Sequence, residues 1–357
     1  MLTQTEEQKM LEESVSSLLA SNSGGSQWRE FAEMGLLAMP FDAKDGGLCS
    51  SPADLMLVMG LLGKTQSPEP FLASAIIGAR LLNTLASADQ KAELLAGVMD
   101  GRIRLALAHA EPGARYELGQ VSLTATLADG GYRMSGLKTL VAGGASATHL
   151  LVSACDQNGI SLFVIPVSTG GVQITAYANK IDADVQLTDV FVPLSGLLGH
   201  RGGALEAIEE AVDHALAALA AEAVGAMERL LALTLDYLRV RKQFGVPLSS
   251  FQALQHKAVD MFVEIEQAKS MATYAASMLT APRDERHMAV AAAKAHVNAA
   301  ARFVGETGVQ LHGALGLTME SAAGRLFRRL TEIQLAFADR DHCLRVLSRS
   351  AASILEV

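Results

Sequence analysis

The sequence predicts an α+β multidomain chain in three parts. These are an N-terminal helical domain over residues 1–103, a middle antiparallel β-barrel over 104–200 and a C-terminal four-helix bundle over 201–357. Three observations predict it. Capped segments punctuated by Pro and Gly fill the first part with helices. Between Ile103 and about Leu197, Val, Thr and Leu recur in short runs separated by turn dipeptides. From Gly203 onward, long Ala-rich segments with short connections return, which is the pattern of a bundle.

Each element follows from local chemistry. Thr3 or Thr5 is placed to cap a first helix ending near Ala20, and Asn22-Ser-Gly-Gly-Ser26 is a loop. Gln27–Met34 starts a second helix that breaks at Gly35. Ser51-Pro-Ala-Asp54 opens a third, with Pro at its first position, and Pro68 and Pro70 stop the chain beyond it. Phe71–Ala86 is a further helix, and another runs to Met99 from a start at Ser87 or Asp89. In the middle part, Val121, Leu123, Ala125 and Leu127 alternate with polar residues. Leu150–Ser153, Ser161–Ile165 and Val172–Thr175 read as strands, and Asp129-Gly-Gly, Asn158-Gly and Gly170-Gly as hairpin turns. That spacing implies a small antiparallel barrel or sandwich. The last helices fall near 204–240, 250–280, 285–310, 319–337 and 341–355, the first two about 55 Å and 45 Å long. Residues 214–235 are so nearly apolar that a lone bundle would expose much of them, which predicts oligomer contacts there.

Bulk composition excludes several classes. Net charge is −9, with no Lys/Arg block longer than a pair, so nucleic acid and anionic membranes are poor partners. Cys49, Cys155 and Cys343 are isolated, which suits a reducing, cytoplasmic setting and argues against zinc. The N-terminus is polar and helix-like, unlike a signal peptide. Ala215–Leu235 contains Glu222, Glu228 and Arg229 and reads as a bundle helix rather than a membrane span. No strand–Gly-rich-turn–helix unit and no Walker loop occurs, and Gly313-Ala-Leu-Gly316 lies between helices.

One stretch, Arg241-Lys-Gln-Phe-Gly-Val-Pro-Leu-Ser-Ser-Phe-Gln-Ala-Leu-Gln-His256, joins the two longest helices. It sets a basic pair, a turn through Gly245 and Pro247, and a new helix start capped by Ser249 or Ser250 within a few residues. An ordinary helix corner has this form, and so does a site for an anion.

The particular residues favour the anion. The α–β–α order with Arg241-Lys-Gln-Phe-Gly245 resembles the acyl-CoA dehydrogenase family over nearly the whole chain. The resemblance implies an FAD-dependent oxidation of an acyl-CoA at Cα–Cβ by a tetramer, with electrons passed to an electron-transfer flavoprotein. Arg241, Gln243, Phe244, Phe251 and Gln252 match the family's Arg-x-x-Phe-Gly element, whose Arg pairs with the FAD pyrophosphate. Gln310-Leu-His-Gly-Ala-Leu-Gly316, with Gly313 and Ala314, is similar to the segment that reaches the FAD of a neighbouring subunit. Ala110-Glu-Pro-Gly-Ala114 is similar to the loop along the flavin, and Gly136-Leu-Lys138 with Val141-Ala-Gly-Gly144 to the strand and turn on its other side.

The departures are as informative. The loop's Thr is Ala110, and its Gly-Ser end is Arg115-Tyr116, which reshapes the substrate channel. The Trp that usually covers the flavin falls at Leu140, and the neighbouring Thr at Ala142, so several ring contacts are missing or must come from backbone amides. The catalytic Glu of most members falls at Phe337, and that of a minority at Ala215, next to Leu216. Abstracting an α-proton needs a carboxylate in a dry pocket. Asp213, Asp339 and Asp341 lie nearby in sequence; Asp339 and Asp213 are the candidates for the base, and Asp339 and Asp341 are equally placed to cap the last helix. Glu111 reads as structural. This pattern resembles a branch of short chains that pair with a homologous chain as α2β2 complexes and act on steroid side-chain or dicarboxylic acyl-CoAs. Two rivals stand beside dehydrogenation: a non-catalytic subunit completing a partner's FAD site, and a flavin-dependent monooxygenase of the same fold, in which no base is needed.

Overall fold

The computed structural model describes residues 4–21, 25–318 and 320–355. Thr3, Asn22, Ser23, Gly24 and Met319, which figure in the sequence expectations, lie outside them. The chain divides into two compact units, Met1–Ser21 with Pro52–Ser67 and Leu216–Val357, and Asn22–Ser51 with Pro68–Ala215. Among the described residues no helix is long and apolar enough to cross a membrane.

The first unit is a helical bundle. α1 (Glu6–Ala20) starts at Thr5, whose hydroxyl accepts the Gln8 amide while the Gln8 side chain bonds back to the Thr5 amide, a capping box. α3 (Pro52–Thr65) crosses α6 (Leu205–Val240) at backbone contact. A Cβ on Gly63 would stand 2.0 Å from the Glu222 carbonyl oxygen, and one on Gly225 would stand 1.9 Å from that of Gly60, so only glycine permits this crossing. α7 (Gln252–Met278), α8 (Arg283–His312), α9 (Ala322–Leu335) and α10 (Arg340–Leu355) complete the bundle. Residues 211–227 of α6 are all buried within the single chain, Glu222 included. This narrows the expectation of oligomer contacts over residues 214–235: 214–227 are enclosed by the chain itself, and exposed residues begin only at Arg229 and Ala232. Exposed apolar side chains lie instead on α7, at Val259, Phe262 and Val263. Glu222 is paired in a fork with Arg329 of α9, at 2.6 and 3.0 Å, which is how a carboxylate is tolerated there.

The second unit holds α2 (Trp28–Glu33), α4 (Ala79–Leu85), α5 (Ala88–Met99) and two four-stranded sheets. The segment predicted as one helix over Phe71–Ala86 begins as a π-helix, Leu72–Gly78. Its wide turns leave the Ser74 hydroxyl to accept the Leu105 amide at 3.2 Å. β1 (Leu105–Ala108), β4 (His149–Asp156), β5 (Gly159–Pro166) and β8 (Leu197–Leu198) form one sheet in the order β1-β4-β5-β8. β2 (Ala125–Ala128), β3 (Gly131–Val141), β7 (Ala183–Pro193) and β6 (Val172–Ala176) form a second, in the order β2-β3-β7-β6. They share one core, including Leu150, Val152, Phe163, Tyr132, Val185 and Val190. The predicted closed antiparallel barrel is therefore corrected to two open sheets. β1 runs parallel to β4, and a single bridge from Thr124 to Cys155 joins the sheets at one corner. Closure would remove edges. Here the first sheet has both faces buried, Leu150 to Ala154 without interruption, and the π-helix lies on β1.

Candidate functional site

In the first unit, Arg241 follows the end of α6 and leads into a two-stranded hairpin, β9 (Lys242–Gln243) with β10 (Val246–Pro247). Its two-residue loop is Phe244-Gly245, both with positive φ (55° and 81°), as a type I′ turn demands. Neither Ser249 nor Ser250 caps α7. Residues Leu248–Ser250 form a 3-10 turn, the Ser250 hydroxyl donates to the Pro247 carbonyl at 2.7 Å, and Phe251 takes the N-cap position. Phe244 is 93% exposed and meets Phe251 edge-on at 6.2 Å. Arg241, Gln243 and Gln252 are exposed, and among the described residues Arg241 has no ion-pair partner.

The Gln310 segment comes to the same end of the bundle. His312, the last residue of α8, bonds through Nδ1 to the Gly308 carbonyl at 2.8 Å and stacks on Tyr237 of α6 at 4.8 Å. Gly308 itself admits Leu230 of α6, since a Cβ there would lie 2.8 Å from it. Tyr237 is one helical turn before Arg241, and Gln310 two residues before His312, so one chain carries both elements side by side. Gln310, Gly313 and Ala314 are exposed.

The loop after α9 holds the position expected for a base. Phe337 there has φ 59° and is half-buried. Asp339 accepts the His342 amide at 2.7 Å through Oδ1 and so caps α10. The end of α9 is held by α8: Lys294 Nζ donates to the Ile333 carbonyl and to Asn298 Oδ1 (2.9 Å), and Asn298 donates to the Gln334 carbonyl at 3.1 Å. Burial lowers the Lys294 amine to about 7, aided by Arg329 and opposed by Cys343 and Glu222. Burial also pushes the Cys343 thiol up to about 11. None of these roles for Lys294, Asn298, Tyr237 and His312 was read from the sequence; a lone Lys in an Ala-rich helix with Asn four residues on was the available signal.

In the second unit, Ala110 is half-buried, and its carbonyl accepts the Thr139 amide at 2.8 Å. Glu111 and Lys138 form a buried ion pair at 2.7 Å. Burial pushes the Glu111 carboxyl up, but Lys138 and the donors of Ser122 and Leu123 outweigh it and hold it at about 2. His109 beside them is lowered to about 4, by burial first and then by the Lys138 charge. Tyr116 is half-buried, with the Arg115 guanidinium 5.7 Å from its ring centre. Leu140 has φ 53° and is 70% exposed. Its amide donates to the Tyr177 hydroxyl at 3.2 Å, and that of Gly143 to Asp182 at 3.2 Å, so these two amides are already engaged. Ala142 between them is half-buried. On α6, Asp213 is 1% exposed and Ala215 fully buried.

Two family models match the chain: acyl-CoA dehydrogenase, N-terminal domain, over residues 5–102, and acyl-CoA dehydrogenase, C-terminal domain, over residues 202–335. The chain is 29% identical to the probable acyl-CoA dehydrogenase YngJ of Bacillus subtilis (strain 168), over 86% of this chain and 84% of that one. It superposes on the crystal structure of acyl-CoA dehydrogenase from Geobacillus kaustophilus with a TM-score of 0.91 at 23% identity, covering 98% and 99% of the two chains. It superposes on a structure described as the Tcur3481-Tcur3483 steroid ACAD G363A variant with a TM-score of 0.86 at 26% identity, covering 99% of each. The two matched domains and the fold agree: the chain belongs to the acyl-CoA dehydrogenase family.

Proposed function

We propose that this chain carries out FAD-dependent α,β-dehydrogenation of an acyl-CoA thioester, in a homo- or heterotetramer with a homologous chain, and passes the electrons to an electron-transfer flavoprotein. The observation that carries this is the end of the bundle where Arg241, exposed and without an ion-pair partner among the described residues, stands beside the Gln310 segment. FAD fits these residues, because a cation on a projecting hairpin with exposed neighbours suits a pyrophosphate. Arg241 would hold the pyrophosphate, flanked by Gln243, Phe244, Phe251 and Gln252. Gln310, Gly313 and Ala314 would reach the FAD of a neighbouring chain. Ala110 and Ala142 would line the ring through their backbones, and Tyr116 and Ala215 the substrate channel. When bound, FAD supplies the acceptor for the β-hydride. The protein's own task is to orient the thioester, exclude water and take the α-proton.

Phe337 and Ala215 cannot take that proton. Asp339 and Asp213 are the chain's candidates, and Asp339 already caps α10. That engagement favours a second reading, in which this is the base-poor subunit and a homologous partner supplies the carboxylate. The 26% likeness to a steroid ACAD supports a steroid-derived acyl group. Purification tests all of this. The chain alone is expected to be yellow and to be bleached anaerobically by an acyl-CoA. A colourless chain that turns yellow only with a homologous partner overturns self-sufficiency. Turnover that requires a reductase and oxygen overturns dehydrogenation.

A further inference from the structure

Residues 112–121 form a loop between Glu111 and Ser122 on the way from β1 to β2, and most of them, Arg115 included, are exposed. Both stems of this loop end on one buried ion pair. Glu111 Oε1 accepts from Lys138 Nζ at 2.7 Å and from the Leu123 amide at 3.0 Å. Glu111 Oε2 accepts the Ser122 amide at 2.8 Å and the Ser122 hydroxyl. Lys138, with no exposed surface, spends its other two protons on the His109 carbonyl at 3.2 Å and the Ser153 hydroxyl at 3.0 Å. An ammonium has three donors and a carboxylate about four acceptor positions, so neither partner has capacity left over. The pair thus ties the first stem (His109, Glu111), the second stem (Ser122, Leu123), β3 (Lys138) and β4 (Ser153) to one point.

A complete buried pair adds little net stability over an apolar pair of the same volume, whereas half a pair is costly. What such a pair supplies is location. Immediately after Lys138, the Thr139 amide bonds to Ala110, and at Leu140 β3 departs from regular strand geometry. One point therefore fixes both the loop and the Leu140 bulge.

We infer that the Glu111–Lys138 pair is a clamp that holds loop 112–121 as a preformed wall of the ligand site, with Lys138 a positioning residue and not a catalytic one. That the loop walls a ligand site, and which ligand, rest on the function proposed above; the restraint on the loop does not.

The test uses the full chain as Lys138→Met, Glu111→Gln and the double variant Glu111→Gln/Lys138→Met. Three quantities are read: the rate of tryptic cleavage after Arg115 in the flavin-free protein, the Kd for FAD, and the thermal midpoint. Lys138→Met, which leaves a lone buried carboxylate, is expected to speed cleavage after Arg115 by roughly tenfold or more and to weaken FAD by a similar factor. The double variant regains much of the midpoint, because no lone charge remains, yet regains neither the protection at Arg115 nor the FAD affinity. A double variant with wild-type protection overturns the clamp. So does cleavage that rises only in proportion to the lost midpoint in every variant. If the wild-type chain binds no FAD while Lys138→Met still opens the loop, the cofactor reading fails and the clamp stands.

Discussion

Two phenylalanines in this bundle hold the left-handed backbone that side chains seldom adopt, and they do so for opposite reasons. Phe244, φ 55°, is at the tip of the Arg241 hairpin, followed by Gly245, and two paired strands make its conformation the natural one for a tight turn. Phe337, φ 59°, lies in the loop after α9, followed by Ala338, with Lys294 and Asn298 holding the helix end that leads into it. Around Phe244 the side chains suited to an anionic cofactor remain exposed. Around Phe337 the unusual backbone is present without a carboxylate to use it. A local conformation costing about 1–3 kcal/mol persists only where its surroundings impose it. The contrast teaches that the scaffold of the second loop is kept by its neighbours, independently of the residue standing there.

The sharpest way to break that contrast is Phe337→Glu. If the backbone is set by Lys294 and Asn298, the new carboxylate is presented without refolding. Anaerobic flavin bleaching by acyl-CoA then rises by on the order of 10²-fold, the scale of a positioned general base. An unchanged bleaching rate in a folded, flavin-loaded variant would falsify the idea that the loop still has the right shape. Arg241→Ala attacks the other side. Losing a charge-assisted contact weakens FAD by roughly ten- to a hundredfold, measured by fluorescence quenching. Wild-type affinity would remove Arg241 from the site.

The pH dependence of unfolding examines what supports Phe337. Lys294 is held near 7 in the fold, while the unfolded chain keeps its amine near 10.5, so the unfolded state binds more protons between those values. Stability therefore rises as pH goes up through that window, by at most about 1.4 kcal/mol per unit, and the cost is fully felt below pH 7. Lys294→Met should flatten that rise in chemical denaturation; an identical slope would mean the amine is not buried as described. The smallest effect belongs to Asp339→Asn. Asn is as good an N-cap as Asp, so the change in stability stays within roughly 0.5 kcal/mol. Acyl-CoA turnover that is equally unaffected would show Asp339 to be a cap and nothing more.

Element types were legible wherever period and punctuation agreed. Thr5 with Gln8 and Ser87 with Gln90 both form the boxes their spacing implies. What escaped depended on contacts distant in sequence. No local pattern distinguishes the π-helix Leu72–Gly78 from an α-helix; what marks it is a distant contact, the Ser74 hydroxyl accepting the Leu105 amide of β1. The serines at 249 and 250 have the chemistry of caps, but a 3-10 turn places Phe251 at the helix start. Leu127 continues an alternation of buried residues and yet is 60% exposed, since β2 ends its sheet. Apolarity around all of α6 was readable; whether the cover came from this chain or another was not. At the candidate site, Arg241 and Gln310 could be named in sequence, whereas Lys294 and the Tyr237–His312 stack needed the packing.

That stack has a consequence for assembly. It joins, inside one chain, the hairpin proposed to grip one flavin and the segment proposed to reach the next. In a closed ring of chains built on that pattern, each stack lies between two cofactors and belongs to neither alone. On that reading, a shift of the stack caused by one flavin would be felt at the next, and the linkage would be equal in both directions. Flavin loading would then be a property of the whole assembly and not of the separate protomers.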